Sequence, residues 1–169
     1  MVTSSLFLPS LLAYLSPHSK VLLLRAYFTT VLIWWVARGR PALNIKSFMT
    51  TTSIEPPVPT TPAPSTPLTT ETTPIPNPFL PILQSAMTHP NDHLSKIQRA
   101  FAHYNILYGR RPAGYFKDTA LEDAELLDGS LFLRASLLTA EYVGWVREGK
   151  VPKLLGIEPR LFSFEGFYE

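Results

Sequence analysis

Residues 16–41 read SPHSKVLLLRAYFTTVLIWWVARGRP, and this stretch decides the fold class. Ser16-Pro17 is a helix start: the serine hydroxyl can accept from an unpaired N–H of the first turn, and proline at the first helical position gives up only a donor that had no partner. The stop is as clear, with Arg38 in the last turn, Gly39 suited to a left-handed end and Pro41 unable to continue. The implied helix, Pro17 to about Arg38, is about 33 Å long at ~1.5 Å per residue. It is apolar nearly all round, interrupted by Arg25, Thr29 and Thr30. A helix without a polar face is either enclosed by other protein or crosses a bilayer. Lys20 before the apolar run, Arg38 and Arg40 after it and the Trp34-Trp35 pair near its end speak for the bilayer. Arg25 speaks against it, since an arginine costs about 2.5–3.5 kcal/mol at a membrane centre and less near an end. The expectation is therefore a helix buried within a larger helical body, with a single-pass membrane span as the alternative.

Working outward, Met1 to Leu15 is apolar but has no Lys or Arg ahead of it and is interrupted by Pro9, which does not match a secretory signal. On the other side, residues 50–78 are mostly Thr and Pro, a composition that cannot hold a hydrogen-bonded ladder and favours extended, solvated backbone. This divides the chain into a hydrophobic helical segment at 1–49, a disordered Thr/Pro-rich linker at 50–78 and a helical segment at 79–169. Phe79 to Met87 reads as a short helix. Asn91 or Asp92 can cap a longer one to Tyr108, with Leu94, Ile97, Phe101, Tyr104 and Tyr108 as its apolar stripe and Lys96, Arg99 and Asn105 on the other side. A further helical stretch is expected from Leu121, broken at Asp128-Gly129. The last helix should run from Ser130 to Glu148, stop at Gly149 and bury Leu131, Ala135, Leu138, Tyr142 and Trp145. No run alternates with period two, so the fold class is all-α.

Of 169 residues, 46% are hydrophobic, and the net charge of +2 is too mild and dispersed for a nucleic-acid surface. The chain has no cysteine, which rules out disulfides, thiolate chemistry and zinc-ribbon sites and is compatible with a cytoplasmic protein. There is no glycine-rich phosphate loop, Gly-x-Ser-x-Gly elbow or dinucleotide fingerprint. Of the four histidines, His93 and His103 are ten residues apart, about 15 Å along one helix, and cannot share a metal; Pro90 disrupts the His89/His93 pair in the same sense. No metal site is expected. His103, with Arg99 one turn before it and Tyr104 beside it, reads first as a half-buried histidine satisfied by a hydrogen bond and second as a candidate for proton transfer. Glu122, Asp123, Glu125 and Asp128 form an acidic cluster that reads either as a general base or as a solvated helix start. Tyr27, Trp34 and Trp35 can stack on a planar aromatic substrate, although aromatics at helical spacing also make a core.

Two stretches carry a resemblance. One joins Ser16-Pro17-His18-Ser19-Lys20 to Leu24-Arg25-Ala26-Tyr27-Phe28-Thr29-Thr30 and Trp34-Trp35-Val36-Ala37-Arg38-Gly39-Arg40-Pro41. The other joins His89-Pro90-Asn91-Asp92-His93-Leu94, Gln98-Arg99-Ala100 and His103-Tyr104 to Ala124-Glu125-Leu126-Leu127-Asp128-Gly129-Ser130-Leu131-Phe132. Together, from Leu11 to Ile45 and from His89 to Gly149, they resemble the C-terminal part of the questin oxidase-like family of fungal oxidoreductases. The resemblance implies NADPH- and O2-dependent, Baeyer-Villiger-type ring opening of an anthraquinone or related polyketide in secondary metabolism. It also implies a longer parent, since family members exceed this chain, so that a missing N-terminal portion or self-association would complete the pocket. His93 and His103 match the family pattern by position. In that setting His103 or His93 would move a proton, Arg99 would stabilise a developing enolate or phenolate, and Trp34, Trp35 and Tyr27 would wall the substrate site.

Overall fold

In the computed structural model, residues 2–55 and 77–145 are described, and they are helical throughout their regular parts, with no strand among them. Ser16 starts the long helix as its hydroxyl requires, Oγ accepting from the Ser19 N–H at 3.3 Å with Pro17 in the first turn. Ahead of it stand two short helices, α1 (Val2–Ser5) and α2 (Leu8–Ala13); Pro9 sits in the first turn of α2, where its missing donor costs nothing. The long helix, α3, covers Pro17–Ala37, and Gly39 at φ 80° turns the chain out of it. Asn44 then caps α4 (Ile45–Thr51), its Oδ1 accepting from the Ser47 N–H at 3.0 Å. This helix carries regular structure across position 50, where the Thr/Pro linker was expected to begin; the body of that linker, 56–76, lies outside the described residues.

The second half builds the core. α5 (Phe79–Thr88) and α6 (Asp92–Tyr108) follow the expected limits, with the Asn91 side chain accepting from the His93 N–H at 3.0 Å. The helix expected from Leu121 is replaced by turns and one 3-10 turn, Ala124–Leu126, entered through Asp123 at φ 60°. The final helix, α7, is Leu131–Val143, shorter than expected because Gly144 at φ 99° ends it; residues 146–149 lie outside the described residues. α6 packs against both α5 and α7. Phe79, Ile82 and Leu137 form one buried cluster, with Phe101, Leu133 and Trp145 against it, while Ala86, Leu94 and Val143 form a second with Ile97. Burying each large aliphatic side chain here contributes about 1.5–3 kcal/mol.

Two further expectations need correction. The buried face of α7 is Ser136, Leu137, Ala140 and Val143, whereas Leu138 and Tyr142 are exposed. The helix is turned because Ser136 faces Gln98 of α6, and both are fully buried. Gln98 Nε2 donates to the Ser136 carbonyl at 2.9 Å, and Ser136 Oγ donates back to Gln98 Oε1. The second correction concerns α3: none of its residues is buried, so the core formed by the described residues does not enclose it. Leu23, Tyr27 and Val31 are half-covered along one stripe, while Phe28 and Ile33 on other faces are 62% and 60% exposed.

Candidate functional site

Where α1, α3, α6 and α7 approach one another they leave an open cavity of about 450 Å³. Val2 and Ser5 come from α1, Tyr27 and Val31 from α3, Phe101, Tyr104 and Tyr108 from α6, and Leu131, Phe132 and Ala135 from α7. The three-and-four spacing of the α6 stripe puts its aromatic residues on this wall, and the first turn of α7 brings Phe132 against them. Tyr104 and Phe132 stack with ring centroids 5.7 Å apart and 30° between planes; Tyr108 stands 6.0 Å from Phe132 and 6.5 Å from Tyr104. Outside the cavity the series continues through Phe116 to Tyr115, over which Arg111 lies at 4.6 Å. A volume of this size suits one small molecule, and offset aromatic faces suit a flat one.

The cavity is lined almost entirely by carbon, with polarity confined to hydroxyls. The Ser5 and Tyr104 hydroxyls are hydrogen-bonded to each other, and Ser5 Oγ donates to the Val2 carbonyl. The Ser4 and Tyr27 hydroxyls lie 3.3 Å apart.

Of the residues singled out from sequence, Tyr27 is in this wall. Trp34 and Trp35 are exposed on the last turns of α3 and do not line the cavity. His93, Arg99 and His103 all lie exposed on α6 and do not line it either. Of these three, His103 has its ring against a lining residue, edge-on to Tyr104 at 5.5 Å. His93 Nδ1 is 3.0 Å from Asp92 Oδ1 on the surface. The Lys96 ammonium, hydrogen-bonded to Asp92 at 3.2 Å, holds that carboxyl below its ordinary range, and His93 acts in the same direction. His89 is buried and structural, its Nδ1 accepting from the Asn91 N–H at 3.0 Å and so setting Asn91 as the α6 cap. From the acidic cluster, Asp128 Oδ1 accepts from the Ser130 N–H and hydroxyl at 2.8 and 2.6 Å. Ser130 Oγ in turn accepts from Arg134 Nε at 2.9 Å, and the same guanidinium donates to the Thr52 carbonyl, tying the end of α4 to α7. Among the described residues, no three His, Asp or Glu side chains gather closely enough to hold a metal ion.

Sequence reasoning missed Ser5 and Phe132 as lining residues. It placed Tyr104 and Tyr108 on the inward stripe without their role as a wall. The stripe was the available signal; for Ser5, on a separate helix 99 positions from its partner, there was none.

Fold and cavity define an all-helical protein with an aromatic pocket of small-molecule size. The questin oxidase-like family model matches residues 1–101 of the 169. The chain belongs to that family, which places it with oxidoreductases. No curated protein and no solved structure matches it. The matched part takes in α1 to α5 and α6 as far as Phe101; His103, Tyr104 and the Ala124–Phe132 stretch lie beyond it.

Proposed function

We propose that the chain supplies the substrate pocket of an oxidoreductase that opens a ring of a planar aromatic polyketide, such as an anthraquinone, in the NADPH- and O2-dependent manner its family resemblance implies. The observation that carries this reading is the carbon-lined cavity with stacked Tyr104, Tyr108 and Phe132 in a chain of the questin oxidase-like family. Tyr27 walls the substrate, and the exposed Trp34-Trp35 pair extends that aromatic surface if a further subunit or segment covers it. His103, edge-on to Tyr104, is the candidate proton carrier, with His93 and Arg99 the other two residues the resemblance offers. NADPH itself does not fit the cavity, because its phosphates require cations or a row of backbone N–H groups and, among the described residues, no Lys or Arg lines this space. The cavity's part is therefore to bind and orient the aromatic substrate, NADPH being held elsewhere on the protein, and no step is assigned to the cofactor.

The test is NADPH and O2 consumption by the purified chain with a hydroxyanthraquinone. Substrate-dependent loss of NADPH absorbance is expected, with His103→Ala lowering turnover by about 100-fold, the lower end for a lost general acid or base, and leaving thermal unfolding unchanged. Consumption no faster than without substrate removes the oxidase reading, and full turnover by the variant removes His103 from it.

One observation favours a second reading, the membrane span. α3 is 21 residues long, apolar enough to cross a bilayer, and without a buried residue. At ~1.5 Å per residue it matches a hydrocarbon layer of about 30 Å. Thr30 satisfies its own hydroxyl by donating to the Ala26 carbonyl at 2.8 Å, which removes one polar cost of immersion. In this reading a tagged chain stays with the membrane pellet through alkaline carbonate extraction. Release into the supernatant excludes it and leaves α3 to be covered by protein.

A further inference from the structure

The hydroxyls carried by the cavity's lining residues are engaged with the protein itself. Those of Ser5 and Tyr104 bond to each other, Ser5 Oγ donates to the Val2 carbonyl, and the Tyr27 hydroxyl lies 3.3 Å from that of Ser4. What the described residues turn toward the space is accordingly carbon almost throughout, and no charged or amide side chain of theirs lines it. A ligand oxygen carried inside leaves its water behind and meets nothing in exchange, a loss of about 10-fold or more in affinity for one hydroxyl. The cavity is also open to solvent. An oxygen that stays in the mouth keeps its water and loses little. Such a site sorts ligands by where their oxygens stand, not by how many they carry.

We propose that the cavity selects flat aromatic ligands whose oxygens all stand at one end, taking the bare ring inside and leaving the oxygenated ring in the mouth. The proposal deepens the reading of this space as a substrate pocket and rests on that reading, but not on the oxidase reaction. The stacked rings of Tyr104 and Phe132 make a stiff wall suited to a flat bare ring. Within the polyketide class, the preferred members have one terminal ring free of hydroxyl and carbonyl groups. Compounds oxygenated at both ends are rejected by desolvation and not by size, since a hydroxyl adds little bulk beside about 450 Å³ of space.

The experiment measures equilibrium binding of four probes to the full chain with no cofactor present: naphthalene, 2-naphthol, 2,3-naphthalenediol and 2,6-naphthalenediol. The two diols have the same composition, but only the second carries oxygen at both ends. Naphthalene, 2-naphthol and the 2,3-diol are expected to bind within about 3-fold of one another, and the 2,6-diol about 10-fold or more weakly than 2-naphthol. Ala135→Phe, which fills the space from α7, and Val31→Phe, which fills it from α3, are each expected to abolish binding while the helical circular dichroism is kept. Equal binding of the 2,6-diol and 2-naphthol overturns the proposal, because the inner hydroxyl would then have found a partner. A 10-fold loss already at 2-naphthol overturns it as well, since no oxygen would then be resting in the mouth. Diols that are equally weak show that the number of hydroxyls matters and not their place. Failure of all four probes to bind, or binding that survives in both filled variants, overturns the pocket itself. Absence of NADPH consumption alongside the expected binding order removes the oxidase reading and leaves this one in place.

Discussion

Gly129→Ala is expected to destabilise the helical core by about 3 kcal/mol or more, at the upper end of what overpacking costs. A Cβ built on Gly129 would stand 2.2 Å from the Gly109 carbonyl oxygen, 2.3 Å from its carbon and 2.7 Å from the Tyr108 oxygen. All three are main-chain atoms at the end of α6, so no side chain can swing aside. Backbone would have to move, and the Gly129 N–H is itself tied to the Arg111 carbonyl at 2.8 Å. This crossing sets where α7 begins relative to the end of α6, and hence how Phe132 meets Tyr104 and Tyr108. The check is a urea unfolding midpoint followed by circular dichroism, with Gly114→Ala for comparison. Gly114 has φ 82° but nothing within 4 Å of its Cβ position, so backbone strain alone should cost it about 1 kcal/mol. A Gly129→Ala midpoint equal to that of wild type would mean that the two backbones do not cross this closely.

The contrast between these glycines shows which kinds of information the amino-acid order carries openly. Ser16-Pro17 and Asn91 announced helix starts because capping is a contact between neighbours, and the structure shows both caps. The α6 stripe was equally open, since Leu94 through Tyr108 face inward at helical spacing. What stayed hidden depends on partners far along the chain. α7 offers two plausible apolar faces, and the choice falls to a serine, Ser136, because Gln98 waits opposite it. α3 has no polar side to betray its packed stripe, so Tyr27 and Val31 could not be told from Phe28 and Ile33 by pattern. The cavity needs α1, α3, α6 and α7 together, and Ser5 acquires its role only by meeting Tyr104. Replacement of the expected helix after Leu121 by turns has the same origin: Gly114 N–H donates to the Glu125 carbonyl at 2.8 Å, a closure between residues eleven apart.

The second large effect is expected at the Gln98–Ser136 pair. Both residues have 0% exposure, so every polar atom there must find its partner within the protein. Gln98→Leu conserves most of the volume but leaves the Ser136 hydroxyl without its acceptor, which should cost about 2 kcal/mol. Ser136→Ala strands Gln98 Oε1 and should cost about 1–2 kcal/mol on the same grounds. The double variant leaves neither side chain with an unpaired atom, because the Ser136 carbonyl still has its place in the helical ladder of α7. Its loss of stability should fall below the sum of the single losses by at least about 1 kcal/mol, the coupling expected of groups that serve each other. Urea midpoints of the four proteins give that coupling directly. Strict additivity would show that the two residues act independently, and the orientation of α7 would then need another cause, with the packing of Leu137 on Ile82 and Phe79 the contact best placed to supply it.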